Sequence, residues 1–292
     1  MFDRSRLAPV LVATTAAIVA ASLPTSVFAA TQPRLGSVAN YAAMAGSTIT
    51  NTGPSVISGN VALSPGTAVT GFPPGTSAVR NVADANAVKA QSDLVTAFTD
   101  AATSPSTSNL TGKNLGGLNL VAGVYTFSAS AQLTGTLTLS GTGVFIFRIG
   151  SALTTATSAS VLTRNGASAC AVYWEVGSSA TLGSATQFQG NLMALTSITM
   201  VTGASITGRA LARNGALTLD SNRITPPSGS CTAASRTTSS KGSTPSTPST
   251  GAAASSSALT AAGLVTALGG GAVVLAEGRQ WRRRRTSRSS RD

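Results

Sequence analysis

Hydroxyl side chains are the main chemical resource of this 292-residue sequence, because other reactive groups are scarce. It contains no histidine, two cysteines and eight carboxylates. Between Arg34 and Cys231 the acidic residues are Asp84, Asp93, Asp100, Glu175 and Asp220. Hydrolysis or elimination on a polysaccharide needs clustered carboxylates, usually with calcium or a basic partner. Here three of the five fall in one helical segment and the other two stand apart. A catalytic cysteine would need a base beside it, and no histidine exists to serve. The expectation is therefore a protein that is not an enzyme, with no metal and no cofactor. What remains is threonine and serine at alternate positions, a grid of methyls and hydroxyls without charge.

The elements that would carry such a grid are short stacked strands. Residues 178–195 (SSATLGSATQFQGNLMAL) superimpose on 196–213 (TSITMVTGASITGRALAR), and 214–224 (NGALTLDSNRI) follows in step with one residue gained and one lost. Ser184 falls on Thr202, Phe188 on Ile206, Gly190 on Gly208 and Asn191 on Arg209. A short repeat with apolar residues on alternate positions and a glycine at the bend predicts a β-solenoid, whose coils bury their apolar sides only by stacking. Two outward columns can be traced. One is Thr138, Thr154, Thr181, Thr199 and Thr218, flanked mostly by apolar neighbours. The other follows a Thr-(Ala/Gly)-x-Thr-like spacing: Thr67 to Thr70, Thr157 to Ser160, Ser184 to Gln187 and Thr202 to Ser205, with Ser221 next.

The rest of the chain frames this region. Residues 1–30 have the parts of a secretory signal: Arg4 and Arg6, an apolar run from Leu7 to Leu23, and Val27-Phe28-Ala29 before the cleavage point. Residues 31–234 form the folded domain. Within it, Val79 to Ala102 breaks the β pattern, with Ala87, Ala90, Leu94, Phe98 and Ala101 at three- and four-residue spacing. This predicts one amphipathic helix over about 80–102, covering one side of the strands, with Asp84 in its first turn. Val144 to Ile149 reads as a strand buried on both sides. In Cys170 to Val176, Tyr173 and Glu175 share one side while Val172, Trp174 and Val176 share the other. In an exported chain, Cys170 and Cys231 are expected to pair.

The net charge of +12 misleads, since Arg34 to Cys231 carries nine basic against five acidic residues while seven arginines follow Glu277. No clustered basic face supports nucleic-acid binding. Residues 235–257 are a Ser/Thr/Pro-rich spacer, 258–276 an uncharged stretch long enough for a transmembrane segment, and 277–292 a basic tail on the cytoplasmic side. Thr247-Pro248-Ser249-Thr250-Gly251 resembles a Gram-positive sortase signal, with Thr247 in place of the usual leucine. The expected location is the extracellular face of the membrane or the cell wall, held by a single C-terminal anchor.

Four blocks resemble the bacterial and fungal ice-binding proteins: LGSVANYAAMAGSTITNTGP, LTGKNLGGLNLVAGVYTFSASAQLTGTLTLSG, VFIFRIGSALTT with CAVYWEVGSSATLG, and GNLMALTSITMVTGASITGRALARNGALTLDSNRI. The similarity covers nearly all of Leu35 to Cys231. It implies a mostly β fold, a three-sided right-handed β-helix of discontinuous type, with one long α-helix packed alongside and an ice-adsorbing exposed sheet face. Many relatives carry cysteines in the loop before the LTG block and after the tyrosine of GVYTF, where this chain has Ser106 and Thr126. Ice offers no charge and no pocket, so a binder must match an array of water molecules over an area. Threonine has few rotamers to freeze, its methyl orders water and its hydroxyl anchors it. The spacing used by active relatives resembles the second column, so Thr67, Thr70, Thr157, Ser160, Ser184, Gln187, Thr202, Ser205 and Ser221 are the expected ice-contacting residues. The alternative is a non-catalytic surface adhesin or structural solenoid without ice activity.

Overall fold

The computed structural model describes residues 30–227. The expected signal, Cys231, the expected spacer, the 258–276 stretch and the basic tail lie outside these residues. Among the described residues no helix is long and apolar enough to cross a membrane.

The domain is mostly β, with parallel sheets and one α-helix. Among the described residues, twenty-one short strands pair in one sheet of fourteen and one of seven. The larger sheet consists of two rows that share the eight-residue strands Gln187–Ala194 and Ser205–Ala212. Successive strands visit three rows in turn. Ala180–Leu182 lies in the seven-stranded sheet. The first half of Gln187–Ala194 lies in a row with Ser160–Arg164, and its second half lies beside Val172–Val176. The 18-residue repeat sets the register: Phe188 pairs with Ile206, Gly190 with Gly208 and Asn191 with Arg209.

The repeated glycine marks the bend within each long strand. Gly190 and Gly208 have φ of +114° and +150°, a region closed to most side chains. A Cβ on Gly208 would also lie 1.9 Å from the Gly190 carbonyl oxygen. The bend lets one strand serve two rows at no break in the ladder.

Stacking is not in sequence order. The first strand, Tyr41–Ala45, pairs with Ser205–Ala212 near the C-terminal end, and Thr48–Thr52 pairs with Leu217–Asp220. Inside the rows a continuous apolar core draws on residues from Ala42 to Ile224 and includes an aromatic stack of Tyr125, Phe147, Trp174 and Phe188. Val172, Trp174 and Val176 point into this core, while Tyr173 belongs to a second apolar layer under the helix, as the alternation predicts. Phe145–Ile149 is buried on both sides for the same reason.

The helix spans Ala85–Thr103, so the expected start near residue 80 is five residues early. Arg80–Val82 is instead a strand, paired with Asn60–Leu63. Asp84 is extended (φ −92°, ψ 173°) and caps the helix, its Oδ1 accepting the Ala87 amide at 2.8 Å. It stands before the first turn rather than in it. The expected stripe is buried: Ala87, Ala90, Leu94, Phe98 and Ala101, joined by Ala97. These residues pack on Met44, Ala62, Val124, Ile146, Tyr173, Met193 and Leu211. The helix therefore covers the row containing Val172–Val176 and leaves the other two rows open.

Candidate functional site

The seven-stranded sheet runs in the order Ala131–Leu133, Leu153–Thr155, Ala180–Leu182, Ile198–Met200, Leu217–Asp220, Thr48–Thr52, Ala68–Thr70. Each strand turns a leucine, isoleucine, methionine, valine or alanine inward and a polar residue outward, threonine in all but Ala131–Leu133. Parallel register aligns the outward residues into one column. Gln132 pairs with Thr154, Thr154 with Thr181, Thr181 with Thr199, Thr199 with Thr218, Thr218 with Thr50, and Thr50 with Thr70. Six consecutive threonines thus form a ladder, which at about 4.8 Å per strand extends over roughly 24 Å.

Thr50, Thr70, Thr154 and Thr218 are exposed, and Thr181 and Thr199 partly so. Among the described residues none of these six hydroxyls bonds to protein. Beneath them Ile49, Leu153, Leu182, Ile198 and Leu217 are completely buried, which fixes the backbone that carries the ladder. On one flank the serines are engaged with the backbone: Ser130 Oγ accepts the Ala152 amide at 3.4 Å, Ser179 Oγ that of Ser197 at 3.3 Å, and Ser197 Oγ that of Ala216 at 3.1 Å.

The residues expected from sequence separate. Of the first column, Thr154, Thr181, Thr199 and Thr218 belong to the ladder, but Thr138 does not. The turn at Gly135 carries Thr136–Ser140 into the neighbouring row, where Thr138 pairs with Asn119 and Leu162. Of the second set, only Thr70 joins the ladder. Thr67 precedes its strand in a loop. Thr157, Ser184 and Thr202 lie in the turns between the seven-stranded sheet and the next row, and Ser221 follows at the same corner. Ser160, Gln187 and Ser205 align as the first column of that next row, followed by Arg223.

Several hydroxyls of this second set have protein partners. Ser160 shares a hydrogen bond with Thr136 at 2.8 Å, Ser205 donates to the Thr186 carbonyl at 3.3 Å, and Ser221 donates to Asp220 at 3.2 Å. Thr202 donates to the other Asp220 oxygen. The row beyond also carries Arg164 and Arg223. Thr50 was not in either expected column. Its alternation with Thr48 and Thr52 is visible in sequence, yet nothing local places it beside Thr218.

The remaining titratable groups lie elsewhere. Asp93 accepts from Lys89, from the Ser37 hydroxyl and from the Ser37 amide, which holds it down to about 2. Burial under the helix side pushes Glu175 up to about 7, opposed by the charge of Arg148 on the neighbouring strand. No group of three or more metal-ligating side chains occurs among the described residues. Cys170 is disulfide-bonded, and Cys231 lies outside the described residues.

This arrangement has close counterparts. The pattern of the family described as ice-binding-like matches residues 43–225. An ice-binding protein of Nostoc sp. (strain HG1) is 50% identical over 218 residues, covering 71% of this chain and 80% of that protein. One from Flavobacterium frigoris (strain PS1) is 32% identical over 210 residues, covering 66% and 76% respectively. Among solved structures, an ice-binding protein from an Antarctic biological consortium superimposes with a TM-score of 0.68 at 41% identity, covering 70% of this chain and 96% of that one. Another, from the Antarctic ascomycete Antarctomyces psychrotrophicus, gives 0.66 at 37% identity, covering 68% and 100%. With the family pattern spanning residues 43–225 and half of the aligned residues identical to the Nostoc protein, the chain belongs to the ice-binding-like family.

Proposed function

We propose that this protein adsorbs to ice through the threonine ladder Thr154–Thr181–Thr199–Thr218–Thr50–Thr70, as a non-catalytic binder. The observation that carries this reading is the ladder's unengaged hydroxyls. They stand in register on a sheet whose inner side is fully packed, and no charge interrupts them. Each threonine offers a methyl that repels water and a hydroxyl that orders it, at a spacing set by the backbone. Docking then freezes few rotamers, so little conformational entropy opposes contact over the area. The Thr157, Ser184 and Thr202 set is the weaker candidate, because its hydroxyls sit in turns and part of them already bond to protein.

The three rows of parallel strands are read as the sides of a right-handed β-helix, the hand that parallel crossovers favour. In this reading the helix Ala85–Thr103 seals one side and leaves the threonine side free. Residues 1–30 direct export. A disulfide at Cys170 fits an oxidising compartment, and Cys231 is its proposed partner. Residues 258–276 with the arginines behind them would anchor the chain in the membrane, unless a sortase acts at Thr247–Gly251. An anchored binder of this kind would hold a cell to ice rather than protect its cytoplasm.

The test is thermal hysteresis, crystal shaping and recrystallisation inhibition by the purified protein. Activity that disappears in Thr218→Tyr at unchanged thermal stability supports the reading. A wild-type protein inactive in all three assays would favour a surface adhesin instead. Truncation after Ser257 is expected to release the protein into the medium, and a full-length chain already found free there would refute the anchor.

A further inference from the structure

Beside the threonine ladder runs a second outward column, and one residue breaks it. The turn amides of Ser158, Ala185, Gly203 and Ser221 donate to the carbonyls of Ser184, Thr202, Asp220 and Thr52 at 2.9, 3.0, 3.1 and 2.9 Å. In each case the residue before the donor stands beside the acceptor. This stacks Thr157, Ser184, Thr202, Asp220 and Thr52 in that order along the corner of the seven-stranded sheet. The pairing of Asp220 with Thr52 in the sheet agrees. Without Asp220 the column would be hydroxyls throughout.

Asp220 is also chemically unlike its surroundings. Of the described carboxylates, Asp84, Asp93 and Asp100 belong to the helix side and Glu175 is buried. Asp220 alone stands on the two rows that the helix leaves open, two residues from Thr218 on the same side of its strand. One of its oxygens accepts the Thr202 hydroxyl and the other that of Ser221 at 3.2 Å, so it engages two hydroxyls that would otherwise face water.

We propose that Asp220 sets the lateral edge of the ice-contacting surface, holding the corner column out of contact and leaving the threonine ladder as the adsorbing line. This rests on the ladder reading above. An ionised carboxylate orders water around its own charge, and stripping or rearranging that shell against a lattice is costly. The neighbouring Thr202 is turned toward the carboxylate rather than outward. Asp220 therefore acts as a specificity determinant: it narrows the surface and limits the ice planes that fit it.

The experiment uses the full-length protein and four variants, with hysteresis read at matched concentration and thermal stability measured on each. Asp220→Thr completes the corner column, and hysteresis is expected to rise roughly two-fold as one hydroxyl column becomes two. Asp220→Asn keeps the shape, removes the charge and gives a smaller rise. Thr202→Val leaves the wild-type activity unchanged, whereas Thr202→Val added to Asp220→Thr abolishes the gain. Asp220→Thr at or below the wild-type level, with stability retained, overturns the proposal. If that variant is destabilised, Asp220→Asn decides, and no rise there is equally fatal. A gain that survives Thr202→Val also contradicts it, because the corner column would not be its source. An inactive wild type, by contrast, removes the ladder reading itself and this inference with it.

Discussion

Gln132 closes one end of the threonine ladder, opposite Thr154. Its longer side chain loses more rotamer freedom on contact than threonine does. Gln132→Thr should extend the ladder to seven and raise hysteresis without changing the melting temperature, which osmometry and calorimetry would check. Glu175 makes a different residue-scale prediction. Burial raises its carboxyl to about 7, whereas the unfolded chain ionises it in the usual carboxylate range. Its folded value being the higher one, stability should fall as pH rises from the ordinary carboxylate range through about 7 and level off above. Glu175→Gln should flatten that limb and stabilise the protein at pH 8, as denaturant titrations at several pH values would show. The threonine spacing was legible in sequence where apolar neighbours flank each residue, as at Thr181, Thr199 and Thr218. Thr50 was in neither expected column and Thr70 was expected in the other one, because the pairing that sets Thr50 beside Thr218, with Thr70 beyond Thr50, spans more than 160 residues of chain.

At the scale of elements, the helix is tied to the leading segment by carboxylates. Asp93 receives the Ser37 amide at 2.8 Å and its hydroxyl at 2.6 Å, and Asp100 pairs with Arg34 at 2.9 Å. Both acids lie below the ordinary range, held there first by their side-chain partners, Lys89 for Asp93 and Arg34 for Asp100. The stability they supply should be present at neutral pH and fade as pH falls from about 4 toward 2. Asp93→Asn should shift that acid limb and speed amide exchange across Gly36–Asn40. A second element-level prediction comes from Ser106 and Thr126, the positions where relatives carry cysteines. Their hydroxyls are 3.0 Å apart. Ser106→Cys with Thr126→Cys should form a disulfide and stabilise the fold by about 3 kcal/mol on a loop-entropy estimate, as denaturation with and without reductant would measure. The helix stripe was readable apart from Ala97, but its start was not. Asp84 serves equally well as a cap or a first-turn anion on paper, and only the pairing of Arg80–Val82 with Asn60–Leu63 fixes it as the cap.

At the scale of the whole molecule, the repeat in residues 178–224 gave the stacking register, since the aligned residues pair one to one. The closure of the stack had no local signal. The first strands insert against the last ones, Ala43 beside Ala210 and Thr50 beside Thr218, so the complete threonine ladder exists only in the closed fold. Such non-local pairing makes slow folding the expectation. The proposed Cys170–Cys231 bridge would close a loop of about 60 residues near that end and contribute roughly 3–5 kcal/mol. Two free thiols in the protein purified without reductant, seen by non-reducing mass analysis, would refute the pairing.

The central claim is that ice meets the ladder and not the corner, and a pair of matched variants tests it most directly. Thr199 stands between Thr181 and Thr218 in the middle of the ladder, while Thr202 lies three residues on, in the turn. Neither side chain is buried, so a tyrosine at either should leave folding nearly intact. Thermal hysteresis and crystal shaping should be largely lost in Thr199→Tyr and largely kept in Thr202→Tyr. Activity kept in Thr199→Tyr but lost in Thr202→Tyr, with both variants folded, would contradict the assignment and move the ice-contacting surface to the corner.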